Sequence, residues 1–495
     1  MLFNSIQFLV FFPIVVLVYF LIPKKWQWIW LLITSYYFYM GWNPKYAGLL
    51  LFSTFVTYGS GILIAWTNHN EKLRHKDRVK KLWVALSFIL NLSILFLFKY
   101  FDFALDMINQ LLGRVNISMV EVKFDVILPV GISFFTFQAL SYTADIYRGE
   151  IDVEKNFGKY ALFVSFFPQL VAGPIERSGN LLKQINEEHS FNYERAREGV
   201  LIMCWGLFLK IVIADRVAIL VNQVYNGYQS YSGFAILMAV LFFSIQIYCD
   251  FAGYSTIAIG AARIMGFSLM ENFNKPYVAT SIKEFWRRWH ISLSTWFKDY
   301  LYVPLGGNRK GKIRTDINIM LVFVVSGLWH GASMNFIVWG FLHGLLQLVG
   351  HRLEPIKAMI HRGFVRCKLE KIHRFLQRIT TFTIISLLWI FFYASNLSHA
   401  IGIFENLFSE FNPQIFFDNS LYSLGLNRQN FYISVMAICL LVIVEFLRGK
   451  GLMKCIVSQN IFVRWGIYIG TILTLLIFGA YGSTYTGTEF IYFQF

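Results

Sequence analysis

Apolar runs close to the length of a bilayer crossing recur from one end of the chain to the other. The first four are IQFLVFFPIVVLVYFLI from Ile6, WIWLLITSYYFYMGW from Trp28, YAGLLLFSTFVTYGSGILIAW from Tyr46 and LWVALSFILNLSILFLFKYF from Leu82. A hydrocarbon core takes about 20 apolar residues per helix, and inside it the backbone must satisfy its own hydrogen bonds. The pattern predicts an all-α polytopic membrane protein with about 11–13 membrane helices or re-entrant segments. Composition agrees, because 56% hydrophobic and only 15% charged residues in a chain of 495 cannot supply a water-soluble surface. The first run has no basic leader and no small-residue cleavage site, so it is expected to be a retained span and not a signal peptide.

The formal charge of +16 would fit a nucleic-acid binder, but its carriers sit in the short polar stretches between apolar runs. There they report orientation, not a nucleic-acid partner. Lys72, Arg74, Lys76, Arg78, Lys80 and Lys81 make one such stretch. Arg352, Lys357, Arg362, Arg366, Lys368, Lys371, Arg374 and Arg378 make another. With both placed in the cytoplasm, and Lys24 and Lys25 beside them, the first four spans alternate without conflict and the N-terminus lies outside. The runs TTFTIISLLWIFFYA, FYISVMAICLLVIVEFL, which returns to Arg448 and Lys450, and WGIYIGTILTLLIFGA then carry the C-terminus outside as well.

The chain is expected to form one membrane domain: a main bundle over 1–350, a basic cytoplasmic stretch over 351–378 that forms a surface helix, further spans over 379–481 and an extracytoplasmic aromatic tail over 482–495. Cys204, Cys249, Cys367, Cys439 and Cys455 have no paired spacing, so neither a disulfide framework nor a thiolate metal site is indicated.

Most of the histidines fall in polar connections. His69, His75, His351, His361 and His373 lie in basic stretches, and His189 and His399 in other loops, where solvated side chains are expected. His290, His330 and His343 lie where a bundle interior is expected, and an ionisable group there is either functional or a helix-to-helix hydrogen bonder. Function is favoured for the first two. His330 sits between Gly327 and Gly331, which let another backbone or a ligand approach closely. A buried imidazole kept neutral can take a proton from an attacking hydroxyl, so His330 is a candidate general base. A structural histidine bonded to a carbonyl is the other reading.

In KEFWRRWHISLSTWFKDY a helical wheel places Trp286, His290, Leu293 and Phe297 on one face, away from Lys283, Glu284, Arg287, Arg288, Lys298 and Asp299. His290 is therefore expected to point inward from one amphipathic helix. That helix runs into a glycine turn, Gly306, Gly307 and Asn308, followed by Arg309, Lys310, Lys312 and Arg314. Such a loop can hold the phosphates of a nucleotide-bearing cofactor at the cytoplasmic mouth, although it matches no nucleotide fingerprint and fits an ordinary positive-inside loop better. Asp145, Gln169, Gln246 and Asp250 are expected to bond between helices or line the interior. At the other end the chain finishes GTEFIYFQF, with Tyr492 among Phe490, Phe493 and Phe495. The plainer reading of this cluster is an interfacial aromatic belt.

The stretches FWRRWHISLSTWFKDYLYVPLGGNRKG and GLWHGASMNFIVWG, preceded in order by ILPVGISFFTFQALSYTADIYRG, SFFPQLVAGPIERS and QIYCDFAGYSTIAIG, resemble the membrane-bound O-acyltransferase family, in its bacterial alginate and peptidoglycan O-acetyltransferase branch. The resemblance implies a bundle with a central tunnel in the bacterial cytoplasmic membrane. It implies acetyl-CoA as a donor entering from the cytoplasm, with no metal and no permanently bound cofactor. His330 matches the family's principal catalytic histidine and His290 its second polar position. The tail resembles the tyrosine-bearing C-terminal motif of the small partner protein in teichoic acid D-alanylation, which makes Tyr492 a candidate acyl shuttle. An extracytoplasmic serine esterase-like partner of the SGNH type would then pass the group to a polysaccharide. Two rival readings stay open: D-alanyl transfer to teichoic acid, and a transporter or flippase in which the histidines relay protons.

Overall fold

The computed structural model describes residues 1–120, 122, 128–171, 173–410, 412–448, 451–481 and 490–493, with the side chains of 453, 454 and 493 excepted. Phe495, Lys450 and the tail segment 482–489 lie outside the described residues, as does the side chain of Phe493. All regular structure among the described residues is helical, as the apolar runs predict. Six helices there are long and apolar enough to cross a membrane: Pro44–His69, Lys76–Arg114, Gly233–Met265, Glu370–Tyr393, Arg428–Arg448 and Ile461–Phe478. The shorter apolar helix Ile6–Leu21 precedes them.

Other helices are interior ones, which need not be uniformly apolar because protein and not lipid surrounds them. In Ile132–Arg148 every residue from Ile132 to Ile146 is buried, including Thr136, Gln138, Thr143 and Asp145. By contrast, only 6% of the apolar stretch of Ile461–Phe478 is buried, so its side chains form an outer surface suited to lipid.

The chain forms two compact units. The first comprises Met1–Val200 and Ala258–Met270. With lipid as apolar as the helices, association there relies on packing and interhelical hydrogen bonds. Ser53 donates to Asn91 at 2.5 Å, Ser87 and Thr143 share a hydrogen bond at 3.2 Å, and Tyr160 donates to Thr57 at 2.7 Å. The expected interhelical use of Asp145 and Gln169 holds: Asp145 accepts from Ser178 and Gln169 donates to the Phe163 carbonyl.

The second unit comprises Leu201–Ile257 and Glu271–Phe495. Its centre is a hairpin of Lys312–His330 and Met334–Arg352. The two helices meet at Gly327 and Gly340, where a β-carbon would lie 2.2 Å from the Phe336 carbonyl oxygen and 2.3 Å from that of Phe323. No side chain fits at that crossing, so Gly327 serves helix packing and not ligand approach. Glu370–Tyr393 packs against the hairpin, and the Asn335 side-chain amide donates to the carbonyls of Phe391 and Ala394 at 3.0 and 2.6 Å. These bonds cover carbonyls near the end of Glu370–Tyr393 that its own helix leaves open.

The 351–378 stretch differs from the single surface helix expected. It holds a separate helix, Glu354–Arg366, and then the first turns of Glu370–Tyr393. Lys368 has φ 57°, and the chain reverses there. His373, expected to be solvated, is buried and stacks on Phe364 with ring centroids 4.7 Å apart. The reversal places it against the preceding helix, a contact that local polarity does not reveal.

Candidate active site

The expected continuous helix through His290 is broken. Ser281 caps Ile282–Arg288 by accepting from the Glu284 N–H, while the Glu284 carboxylate accepts from the Thr280 N–H at 2.8 Å. That reciprocal arrangement starts the helix cleanly. It ends after seven residues, and a second helix, Ile291–Phe297, begins after His290. His290 itself adopts the left-handed conformation, φ 43° and ψ 55°. For a residue with a side chain this costs on the order of 1–3 kcal/mol, and such strain collects at functional sites. A wheel drawn through both helices assigns the direction of His290 on a false premise, although the side chain is indeed buried, with 0% exposure.

The segment around Asn272 compensates for the strain. The Asn274 N–H donates to the Arg288 carbonyl and the Ile291 N–H to the Asn272 carbonyl, both at 2.9 Å, so this segment bridges the break. The Ser292 N–H, which can only donate, reaches Asn272 Oδ1 at 3.3 Å and so fixes which end of the amide faces His290, while the amide nitrogen donates to Ser255 Oγ at 3.0 Å. Asn272 Oδ1 then accepts from His290 Nδ1 at 3.1 Å and from the Ser292 hydroxyl at 2.9 Å. An amide oxygen only accepts, so Nδ1 carries the proton and the neutral ring presents its lone pair on Nε2. Ser255 and Ser292 lie within stretches that carry the family resemblance, but nothing local marks them as neighbours of Asn272 and His290, and Asn272 lies outside those stretches.

His330 is the last residue of Lys312–His330, held by the glycine crossing beneath it. Its ring is boxed by Trp329, Trp339 and Phe392 at centroid distances of 5.0, 5.2 and 5.3 Å. The centroids of the His290 and His330 rings are 6.4 Å apart. His343 belongs elsewhere: its Nδ1 accepts from the Trp286 indole at 3.2 Å, the structural use expected of it.

The tail enters this site. Tyr492 lies 5.5 Å from the His330 ring and 6.3 Å from the His290 ring, centroid to centroid. Among its other neighbours are Phe251 at 4.5 Å, Phe490 at 5.5 Å and Phe392 at 6.0 Å. An aromatic belt at an interface would not bring the ring beside two buried imidazoles, and its hydroxyl is buried.

The glycine turn does not join this cluster through its hydrogen bonds. The Gly306 N–H donates to the Val303 carbonyl at 3.0 Å, Gly307 to Tyr302 at 2.9 Å and Arg309 to Gly306 at 3.0 Å. The turn itself uses those three N–H groups, so they are not available to a phosphate.

The sequence profile described as MBOAT, membrane-bound O-acyltransferase family, matches residues 148–395, an interval that holds both His290 and His330. The chain belongs to the membrane-bound O-acyltransferase family. Among its relatives is a protein of Pseudomonas aeruginosa named Probable alginate O-acetylase AlgI, 37% identical over 83% of this chain and 75% of the relative. A protein of the same name from Pseudomonas putida is 33% identical over the full length of both chains. The Peptidoglycan O-acetyltransferase of Helicobacter pylori is 36% identical over 82% of this chain and 80% of its own. This membrane-bound O-acyltransferase is thus an acyltransferase enzyme and a multi-pass membrane protein.

Proposed function

We propose that this O-acyltransferase takes acetyl groups from cytoplasmic acetyl-CoA and passes them, through Tyr492, to an extracytoplasmic partner that acetylates a polysaccharide. The observation that carries the reading is the Tyr492 ring packed beside both buried imidazoles. The relatives' names supply the acetyl group and the class of acceptor.

In this reading the Tyr492 oxygen attacks the thioester carbonyl while His330 accepts the phenolic proton. Collapse of the tetrahedral intermediate breaks the C–S bond, and the departing thiolate recovers the proton from His330. The products are an O-acetyl tyrosine and free CoA. With its proton on Nδ1, His290 is suited to accept a hydrogen bond and orient the phenol; polarising the carbonyl would require the protonated ring. Asn308, Arg309 and Lys310 meet the donor's phosphates on the cytoplasmic side, with Gly306 and Gly307 shaping the turn. A tyrosyl ester keeps the acetyl group activated, because a phenol of pKa about 10 is a far better leaving group than a sugar alcohol. Onward transfer to a serine of an SGNH-type partner is then favourable. The membrane is the bacterial cytoplasmic membrane, with the tail on its outer side.

Purified protein in detergent, given acetyl-CoA labelled in the acetyl group, is expected to release CoA and carry label on the C-terminal peptide. A transporter does neither, so an unlabelled tail with intact donor sinks the reading.

Asn272→Ala removes the group that fixes the His290 ring. A hydrogen bond of this kind in a buried site is worth about 1–3 kcal/mol, so labelling of the tail is expected to slow roughly 5- to 150-fold. An unchanged rate in a folded variant contradicts the orienting role of His290.

A further inference from the structure

An ammonium and two carboxylates lie buried beside the site. Lys210 is 1% exposed, and its Nζ lies 2.8 Å from Asp215 Oδ1 and 2.7 Å from Asp250 Oδ1. A wide π-helical turn, Phe208–Ala214, carries the lysine and leads directly into Asp215. It packs closely on the Asp250 helix: a β-carbon on Gly253 would lie 3.1 Å from the Lys210 nitrogen and 2.9 Å from the Gly206 carbonyl oxygen.

The second oxygen of Asp250 is where the tail attaches. Asp250 Oδ2 accepts the backbone N–H of Ile491 at 2.8 Å. The next turn of the same helix supplies the flanking contacts. Phe490, fully buried, packs on Tyr254 at 4.5 Å and Phe251 at 5.7 Å, and Tyr492 packs on Phe251 at 4.5 Å. Three consecutive tail residues are thus received by Asp250, Phe251 and Tyr254. The polar contact grips the main chain and leaves the phenol to chemistry, so acylation of Tyr492 does not alter the grip.

We propose that Asp250, charged and aimed by Lys210 and Asp215, is the positioning residue that docks the C-terminal tail through the Ile491 N–H and so sets Tyr492 against His330 and His290. Its catalytic consequence rests on Tyr492 being the acyl acceptor, whereas docking itself is measurable without any acyl chemistry.

The test uses the full-length protein in detergent with Ile491→Val, Ile491→Pro, Asp250→Ala and the Asp250→Ala/Ile491→Pro pair. Hydroxyl-radical oxidation of Tyr492, followed by mass spectrometry of the C-terminal peptide, reads docking. Single-turnover acetylation from labelled acetyl-CoA reads the consequence. Ile491→Val keeps the N–H and is expected to match the parent. Ile491→Pro and Asp250→Ala are each expected to raise Tyr492 oxidation and to slow its acetylation about tenfold, as loss of a charge-assisted hydrogen bond predicts, at unchanged KM for acetyl-CoA. Because both remove one bond, the pair is expected to be no worse than either single variant. Parent-like oxidation in Ile491→Pro, or additive effects in the pair, overturns the proposal. Ile491→Pro lies on the tail, so it remains decisive where Asp250→Ala fails to fold. Oxidation that responds as expected while the parent tail never acquires label leaves docking standing and removes the shuttle.

Discussion

Replacing His330 with alanine is expected to abolish acetyl transfer while the protein stays folded. In the proposed mechanism the imidazole supplies the base for a phenol that is otherwise a poor nucleophile near neutral pH, and positioned general bases contribute about 10²–10⁴-fold. Release of CoA and labelling of the tail should therefore fall by roughly a thousandfold. The helix that ends at His330 is held from beneath by the Gly327–Gly340 crossing, a contact the substitution does not touch. The aromatic box loses the ring it encloses, so a lower thermal midpoint is expected without loss of the folded peak in gel filtration. His330→Gln keeps most of the volume and separates the two effects: it should restore stability and leave the enzyme inactive. A rate equal to the parent's in either variant removes His330 from the mechanism.

Tyr492→Phe is the sharper substitution, since it deletes one oxygen. The ring keeps its contacts with Phe251, Phe392, Phe490 and both imidazoles, and the Ile491 N–H still reaches Asp250. Docking is thus preserved and only the proposed nucleophile is lost. Acetylation of the polymer in cells is expected to fall to background, and no acetyl group should appear on the C-terminal peptide. Polymer acetylation at the parental level would show that the acceptor reaches the histidines by itself.

Much of this protein was legible before any coordinate. Apolar runs separated by basic loops predicted an all-α membrane protein, because a bilayer allows a spanning backbone few alternatives. His290, His330 and Tyr492 were legible as well, the first two because an ionisable residue in such a setting needs a reason to be there. The same signal was present for Lys210 in GLFLKIVIAD and for Asp250 in QIYCDFAG, yet each alone reads as an interhelical bond. Only the pairing of the two, 40 positions apart in sequence, shows a charged cradle.

The break at His290 was not legible, because helical periodicity runs through KEFWRRWHISLSTWF and nothing in its composition interrupts it. The interruption comes from Asn272 and Asn274, whose backbone bonds across the break compensate for a left-handed histidine.

The sequence by itself determined the solvent and the helical class, since these follow from local composition and spacing, and its motifs carried the resemblance to the O-acyltransferase family. Tertiary structure alone decided that two imidazoles and a phenol from three distant segments meet, which nitrogen of His290 bears the proton, and that Asp250 receives the tail. Those are consequences of packing, where a glycine crossing or a single buried hydrogen bond between remote residues fixes what periodicity leaves undetermined.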